Sequence, residues 1–570
     1  MSTAIRSVSI VAAFTLAITA FADRCLAGGS ACVTDSGNQT RVCVEWSQGP
    51  NPEPNVDFVV DVQTDPQNPA IELKTGDLGW VVYAEKISDS SPANIGALTI
   101  NPNTSTQNYV VKLAKGTGPG AANVGTINLN AASWSGHSSL ADGSHIAGDL
   151  TGNLTVVRSG TSGGEANLVV GTIAAESTVT VPVLRGLNVE TLAGRVVVTE
   201  KVDQGTIDIG TLATGAFLDI ADMFGGVVRV SDAYAGEALF GSGLDEYSTV
   251  QILSYMRGHI RFFQPILGRV ELMRGGDGVI GLLSNATVAK GAVVTLSTAG
   301  GPGGEPGSWD GTAEFGSLEE GGVVQTTGGR MTGTLRFDGA VEGSIVFEDT
   351  DVQFPAAVWI IAVTTLGLND GSLGGEIRVK DGRPNAPEVH LEVGIWGSIL
   401  YGGKINIGGP LTAGIISVGQ GVDGDIAIGG SLYVPIDIGA RLGSNGRILI
   451  DGSLVSGLLI HGGTDNTSLI RIRKGMFLGD IAINLVGTAP QTTGGPIYIG
   501  EDEPGHPVSL TYERIRINCS MDPEFGSWPG TITIVGCFRF DQTLNICYGV
   551  PHPEPTIIQT GCQEQHNITI

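Results

Sequence analysis

Between Gly402 and Asn484 a short apolar triplet returns about every eleven residues. The triplets are Ile405-Asn406-Ile407, Ile415-Ile416-Ser417, Ile426-Ala427-Ile428, Ile436-Asp437-Ile438, Ile448-Leu449-Ile450, Leu458-Leu459-Ile460, Ile470-Arg471-Ile472 and Ile481-Ala482-Ile483. Their first residues are spaced 10, 11, 10, 12, 10, 12 and 11 apart. Alternate side chains of an extended chain point to opposite faces, so the outer members of a triplet share one face and the middle member takes the other. Outer members are mostly Ile, Val or Leu, which suits a core. Middle members such as Asn406, Asp437 and Arg471 suit water. The pattern predicts a short half-buried strand at each triplet. Glycine pairs, Gly408-Gly409, Gly429-Gly430 and Gly462-Gly463 among them, mark turns between the strands.

The same step is legible upstream. Val196-Val197-Val198, Ile207-Asp208-Ile209, Leu218-Asp219-Ile220 and Val228-Arg229-Val230 are spaced 11, 11 and 10 apart. Leu239-Phe240, Val250-Gln251-Ile252, Ile260-Arg261-Phe262 and Val270-Glu271-Leu272 continue the series. Residues 298–313, rich in Gly and Pro, read as an exposed insertion, and Lys380 to Glu388 as a second loop. A fixed period over this length signals a repeat architecture. Two steps make about 22 residues, the length of one coil of a β-solenoid. The expected fold is all-β: a right-handed parallel β-helix of about 22 residues per coil with disulfide-containing terminal caps. Leucine-rich repeats of similar length need a helical segment per repeat, and no ten-residue run of helical periodicity separates these strands. An array of β-sandwiches is the structural competitor.

Coil stacking would bring the residues just before every second triplet together. These are Glu376, Lys404, Asp425 and Arg447, and their signs alternate. They form an expected ionic ladder that holds register rather than supplying much stability.

Glycine is abundant, 86 of 570 residues, which fits many tight turns and, without a Gly-X-Y period, excludes collagen. The formal charge of −26 disfavours nucleic acid and anionic lipid as partners. Arg6 followed by the apolar run Val8 to Phe21 and the small-residue site Cys25-Leu26-Ala27 reads as a signal peptide over 1–27. Removing it takes Cys25 and leaves Cys32, Cys43, Cys519, Cys537, Cys547 and Cys562. An even count in an exported chain favours three disulfides: Cys32 with Cys43, and two among the last four in one of three pairings. No integral membrane segment remains after cleavage. The expected domains are a signal peptide 1–27, an N-terminal β region and cap 28–93, the solenoid 94–484, and a disulfide-stapled C-terminal cap 485–570.

Over residues 94–484 the chain resembles secreted bacterial parallel β-helix proteins, a group spanning pectate-lyase-like enzymes, phage-type depolymerases and adhesin passenger domains. The resemblance rests on stretches such as Gly424-Asp425-Ile426-Ala427-Ile428-Gly429-Gly430-Ser431-Leu432 and Gly446-Arg447-Ile448-Leu449-Ile450-Asp451-Gly452-Ser453-Leu454. It implies architecture and no particular activity. Polysaccharide-cleaving members resemble one another in setting paired carboxylates, or a basic residue with calcium, on an outer sheet face. The corresponding candidates here are Asp208 with Asp219, eleven apart, and Asp219 with Asp222. Half-coil spacing sets the first pair on opposite sides, and solvated carboxylates are the default reading of both. The histidines, His137, His145, His259, His390, His461, His506, His552 and His566, show no metal-ligand spacing. No catalytic residue, metal or cofactor is assigned. The expected function is a secreted structural or binding protein at the cell exterior, with a glycan or extracellular matrix as partner. The alternative is a polysaccharide-degrading lyase or glycoside hydrolase. Trp134, Trp309, Trp359, Trp396 and Trp528 fall in separate segments, which counts against a sugar-stacking groove.

Overall fold

The computed structural model describes residues 165–282, 287–298, 307–353, 355–361, 371–380, 388–484 and 495–500, with the strand backbones before and after them. Every regular element among the described residues is a β-strand. The chain divides into two compact units, Met1–Leu253 with Gly258–Arg261, and Ser254–Arg257 with Phe262–Ile570.

In the first unit the strands Gly29–Asp35, Thr40–Trp46 and Trp80–Lys86 pair antiparallel. Their register sets Cys32 directly opposite Cys43. Parallel pairing begins at Ala70–Thr75, which stacks on Ala93–Pro102. Regular coils follow: Val196 pairs with Leu218, Ile207 with Val228 and Leu218 with Ala238. Val196, Val198, Ile207, Ile209, Leu218 and Ile220 are all buried, as the triplets predict.

In the second unit two long ladders run through the coils, each strand pairing in parallel with its equivalent on the next coil, and the coils between Gly275 and Val352 add a third, two-residue strand. One ladder runs through Glu376–Lys380, Lys404–Ile407, Asp425–Ile428, Arg447–Ile450 and Leu469–Ile472. We call it the first ladder. The second ladder runs through Thr312–Phe315, Thr334–Phe337, Ala357–Ile360, Val389–Ile395, Leu411–Val418, Ile436–Ile438, Gly457–Ile460 and Asp480–Asn484. Parallel pairing continues to Thr556–Thr560. Asp425 pairs with Arg447, 22 residues on, so two eleven-residue steps make one coil. The fold is a parallel β-solenoid.

Two further inward stations separate the strands. Leu411, Leu432, Leu454 and Met476 form one row of single bridges, and Ile399, Val422, Leu442 and Thr464 form another. All eight are buried. Each follows its triplet by four residues, as in Ile407 to Leu411, Ile428 to Leu432 and Ile450 to Leu454. A coil thus buries side chains at four stations, two contributed by strands and two by single residues. Two buried hydroxyls satisfy each other: Thr326 and Thr350 share a hydrogen bond of 2.9 Å, and Thr350 also reaches the Glu348 carbonyl at 3.0 Å.

Three expectations change. At Ile415-Ile416-Ser417 the inward residues are Ile416 and Val418, so Ile415 and Ser417 face outward. A one-residue shift inverts the face of a strand, and the shift is set by Ile416 stacking on Ile436. At Leu239-Phe240 the inward pair is Ala238 and Phe240. The insertion expected over 298–313 also shrinks. Thr298 ends one strand, Ser308–Trp309 and Thr312–Phe315 form two more, and Trp309 is fully buried. Gly311 marks close coil contact: a Cβ there would collide with the Gly278 carbonyl oxygen. Residues 299–306 and 381–387 lie outside the described residues.

Turns between strands use glycine in two ways. Gly402 and Gly463 adopt positive φ, 90° and 83°. Gly424 instead lies against the coil before it, where a Cβ would strike the Gly403 carbonyl oxygen. Ile426→Ala, which empties a fully buried station, is expected to destabilise its coils by about 2–5 kcal/mol. Ala427→Ser, on the outer face of the same strand, is expected to stay within about 0.5 kcal/mol of the parent. Urea unfolding midpoints of the two variants measure the difference.

Candidate functional site

The outer faces carry the chemistry, and their main motif is an ion pair whose partners sit on neighbouring coils. In the first unit Asp208 and Arg229 are direct cross-strand partners with 3.3 Å between their charged atoms. Arg195 reaches Asp219 at 3.3 Å and Arg261 reaches Glu237 at 3.2 Å. In the second unit Glu348 meets Lys380 at 2.8 Å, Glu314 meets Arg336 at 3.9 Å, and Asp451 meets Arg473 at 3.6 Å. The Lys380 ammonium holds the Glu348 carboxyl below its usual range by donating a hydrogen bond, with charge attraction adding to it.

The four residues expected to form a ladder occupy one row. Glu376 pairs with Lys404, Lys404 with Asp425, and Asp425 with Arg447. Asp425 and Arg447 are joined by two parallel hydrogen bonds, Nε to Oδ1 at 2.6 Å and Nη2 to Oδ2 at 2.6 Å. This fork raises the Arg447 pKa through the hydrogen bonds first and the charge second. Glu376 lies 4.0 Å from Arg378 of its own strand.

The candidate carboxylates separate. Asp208 and Asp219 belong to different ladders and bind different arginines, Arg229 and Arg195. Asp222 accepts a hydrogen bond from Ser242. Among the histidines, His461 Nε2 lies 3.1 Å from Asp437 Oδ1 on the preceding coil. His259 offers its backbone carbonyl to the Tyr234 hydroxyl at 2.7 Å. Burial, with Glu237 nearby, keeps that phenol protonated far above its ordinary range. Cys519, Cys537, Cys547 and Cys562 lie outside the described residues. No group of three or more His, Cys, Asp or Glu side chains able to hold a metal occurs among the described residues.

One polar corner of the second unit has no counterpart in the triplet pattern of the sequence. The short strands Gly275–Gly276, Ser308–Trp309, Arg330–Met331 and Asp351–Val352 stack in parallel. The residues that follow the first two, Asp277 and Asp310, therefore sit on successive coils. Asp310 accepts hydrogen bonds from Ser308 at 3.0 Å, Tyr255 at 3.2 Å and Thr332, and lies 3.9 Å from Arg330. Burial, then the Asp277 and Asp310 carboxylates, push the Tyr255 phenol up to about 12. Tyr255 is thus a hydrogen-bond donor throughout the neutral range, and Asp310 is held by four partners. Gly275-Gly276-Asp277-Gly278 was the only trace of this corner in the sequence, and its partner Asp310 lay inside a stretch read as loop.

The tryptophans are redistributed. Trp309 is in the core. Trp359 pairs with Gly394 on the next coil, and its ring lies where a Gly394 Cβ would be. Trp396, two residues beyond Gly394, is 61 % exposed. Trp134 and Trp528 lie outside the described residues.

The fold and its coil-to-coil ion pairs define the class, a parallel β-solenoid. Comparison of the chain with protein-family models, curated proteins and solved structures finds no match to any of them. The likeness to parallel β-helix proteins is one of architecture.

The Asp425–Arg447 fork lies on the surface, with the arginine side chain half exposed. A double-mutant cycle of Asp425→Asn and Arg447→Met is expected to give a coupling of about 0.5–1 kcal/mol. Denaturation of the four proteins in low and high salt measures it, and the coupling falls with salt.

Proposed function

We propose that the protein is a secreted structural or binding protein that presents a β-solenoid surface at the cell exterior. The observation that carries this reading is the assignment of outward charge. In both units outer carboxylates are matched to cations on an adjacent coil at several places, among them Asp208–Arg229, Glu348–Lys380 and Asp425–Arg447. The inward stations are nearly interchangeable, Ile stacking on Ile through Ile405, Ile426, Ile448 and Ile470. Such a core stabilises any coil stacked on any other. Paired outer charges select the correct neighbour. A surface organised for register suits a durable scaffold.

The reading includes right-handed winding, which the twist of parallel strands favours. It includes export through a signal peptide over 1–27, and disulfides in the terminal regions. Directly opposite antiparallel residues lie about 4.5–5.5 Å apart at Cα, inside the range a disulfide spans. Peptide mapping of the exported protein without reductant is expected to recover Cys32 joined to Cys43. Recovery of both as free thiols would remove that bridge from the proposal.

A second reading, a polysaccharide-degrading enzyme, draws on Asp277 and Asp310, two carboxylates on successive coils beside Tyr255. A panel of neutral and acidic polysaccharides separates the two. The structural or binding reading expects no new reducing ends and no unsaturated products after prolonged incubation. Products that vanish in Asp310→Asn would establish the enzyme.

A further inference from the structure

The two ladders of the second unit differ on their outer faces. The first carries the charged row Glu376, Lys404, Asp425 and Arg447. The second is bordered by aromatic side chains, Trp396 at one border and Tyr433 and Phe477 at the other, while the first has exposed Tyr401 before Lys404–Ile407 and Tyr498 farther along. At the end of its strands Trp396, Gly419, Gly439 and His461 occupy successive rungs, each backbone N–H bonding the coil before it. Before its strands Tyr433, Val455 and Phe477 do the same. Tyr433 is 50 % exposed and Phe477 48 %. Leu478, next to Phe477, is exposed and holds a left-handed backbone with φ of 62°, a conformation that costs a branched residue free energy. Tyr433 and Phe477 on one border, with Leu478 on strained backbone beside Phe477, give this face exposed apolar surface that a partner outside the fold would cover.

We infer that the outer face of the second ladder, between Trp359 and Phe477, binds an extended neutral polysaccharide. This rests on the binding form of the function proposed above and names its surface and ligand class. Three features of the face select that ligand. The first is relief. Trp359 packs over Gly394, and Gly419 and Gly439 follow Trp396 on the next two coils without a side chain, so the exposed Trp396 ring stands beside bare backbone. The C–H faces of pyranose rings stack on such rings. The second is spacing. Tyr433 and Phe477 are two coils apart, about 10 Å at the usual separation of paired strands, which matches a disaccharide unit of an extended β-linked chain. The third is polarity. Asp437 and His461 form a hydrogen-bonded pair of 3.1 Å, both side chains 42 % exposed, on the same face, ready to meet sugar hydroxyls. The net charge of −26 turns away acidic polymers, which leaves the neutral ones.

The test is affinity electrophoresis of the full-length exported protein in gels containing hydroxyethyl cellulose, xyloglucan or polygalacturonate. Retardation is expected in one or both neutral gels and absent with polygalacturonate. Trp396→Ala and Tyr433→Ala are each expected to weaken it by about tenfold. Tyr498→Ala removes an aromatic of similar exposure, 42 %, from the first ladder and is expected to leave retardation unchanged. Circular dichroism and the thermal midpoint of each variant show that it has folded. The inference is overturned if neither neutral gel retards the parent, if the folded Trp396 and Tyr433 variants bind as the parent does, or if polygalacturonate binds best. It is also overturned if the variants lose only co-sedimentation with phosphatidylcholine vesicles. Reducing ends released from a retarding polysaccharide would instead overturn the non-catalytic reading and leave this surface standing. Absence of both retardation and cleavage would sink the surface and leave a structural role.

Discussion

Each coil of this protein depends on the coil beside it. A single turn of about 22 residues has no partner of its own for its strand N–H and C=O groups, and no way to close its four inward stations. Stacking answers both needs at once. Ile426 pairs with Ile405 before it and Ile448 after it, and the same contact that completes the backbone ladder seals the core. Stability is therefore a sum over neighbouring coils. The buried hydroxyls of Thr326 and Thr350 obey the same rule, since each finds its partner one coil away.

That dependence creates an ambiguity. A column of isoleucines is equally content in any order, and a parallel ladder presents the same hydrogen bonds at every step. Bonds that differ from coil to coil must come from the outside. Asp208 with Arg229, Glu348 with Lys380 and Asp425 with Arg447 each occupy directly opposed positions. Their individual contributions are small because water screens them. Misplacing one coil would bring like charges together or leave a carboxylate beside an alkyl side chain. Small terms of this kind choose between alternatives that the core leaves nearly degenerate.

Outer positions that are not needed for register are open to other uses, and these uses are unevenly spread. The first ladder carries the row Glu376, Lys404, Asp425 and Arg447, and the second carries Trp359, with Trp396, Tyr433 and Phe477 at its borders. The polar corner of Tyr255, Asp277 and Asp310 occupies a third place, on the short strands that precede the second ladder. A solenoid permits such division of labour because changing an outward residue leaves the inward stations untouched.

The sequence by itself determined the period, the strand triplets, the coil of two steps and the row shared by Glu376, Lys404, Asp425 and Arg447. All of these follow from local alternation repeated at a constant interval. It also contained the single stations, four residues after each triplet, though a lone Leu411 or Val422 has no alternating neighbours to reveal it. Tertiary structure decided what depends on which coil meets which. Ile415 faces outward because Ile416 has the better stacking partner in Ile436. Trp309, in a stretch that reads as loop, is core because glycine-rich chain packs closely above and below it. Trp359 and Trp396, far apart in the chain, share a face because Trp359 lies on Gly394. Distance along the chain carries no information about such meetings, because coil length varies with each insertion and only the stacked ladder counts it out.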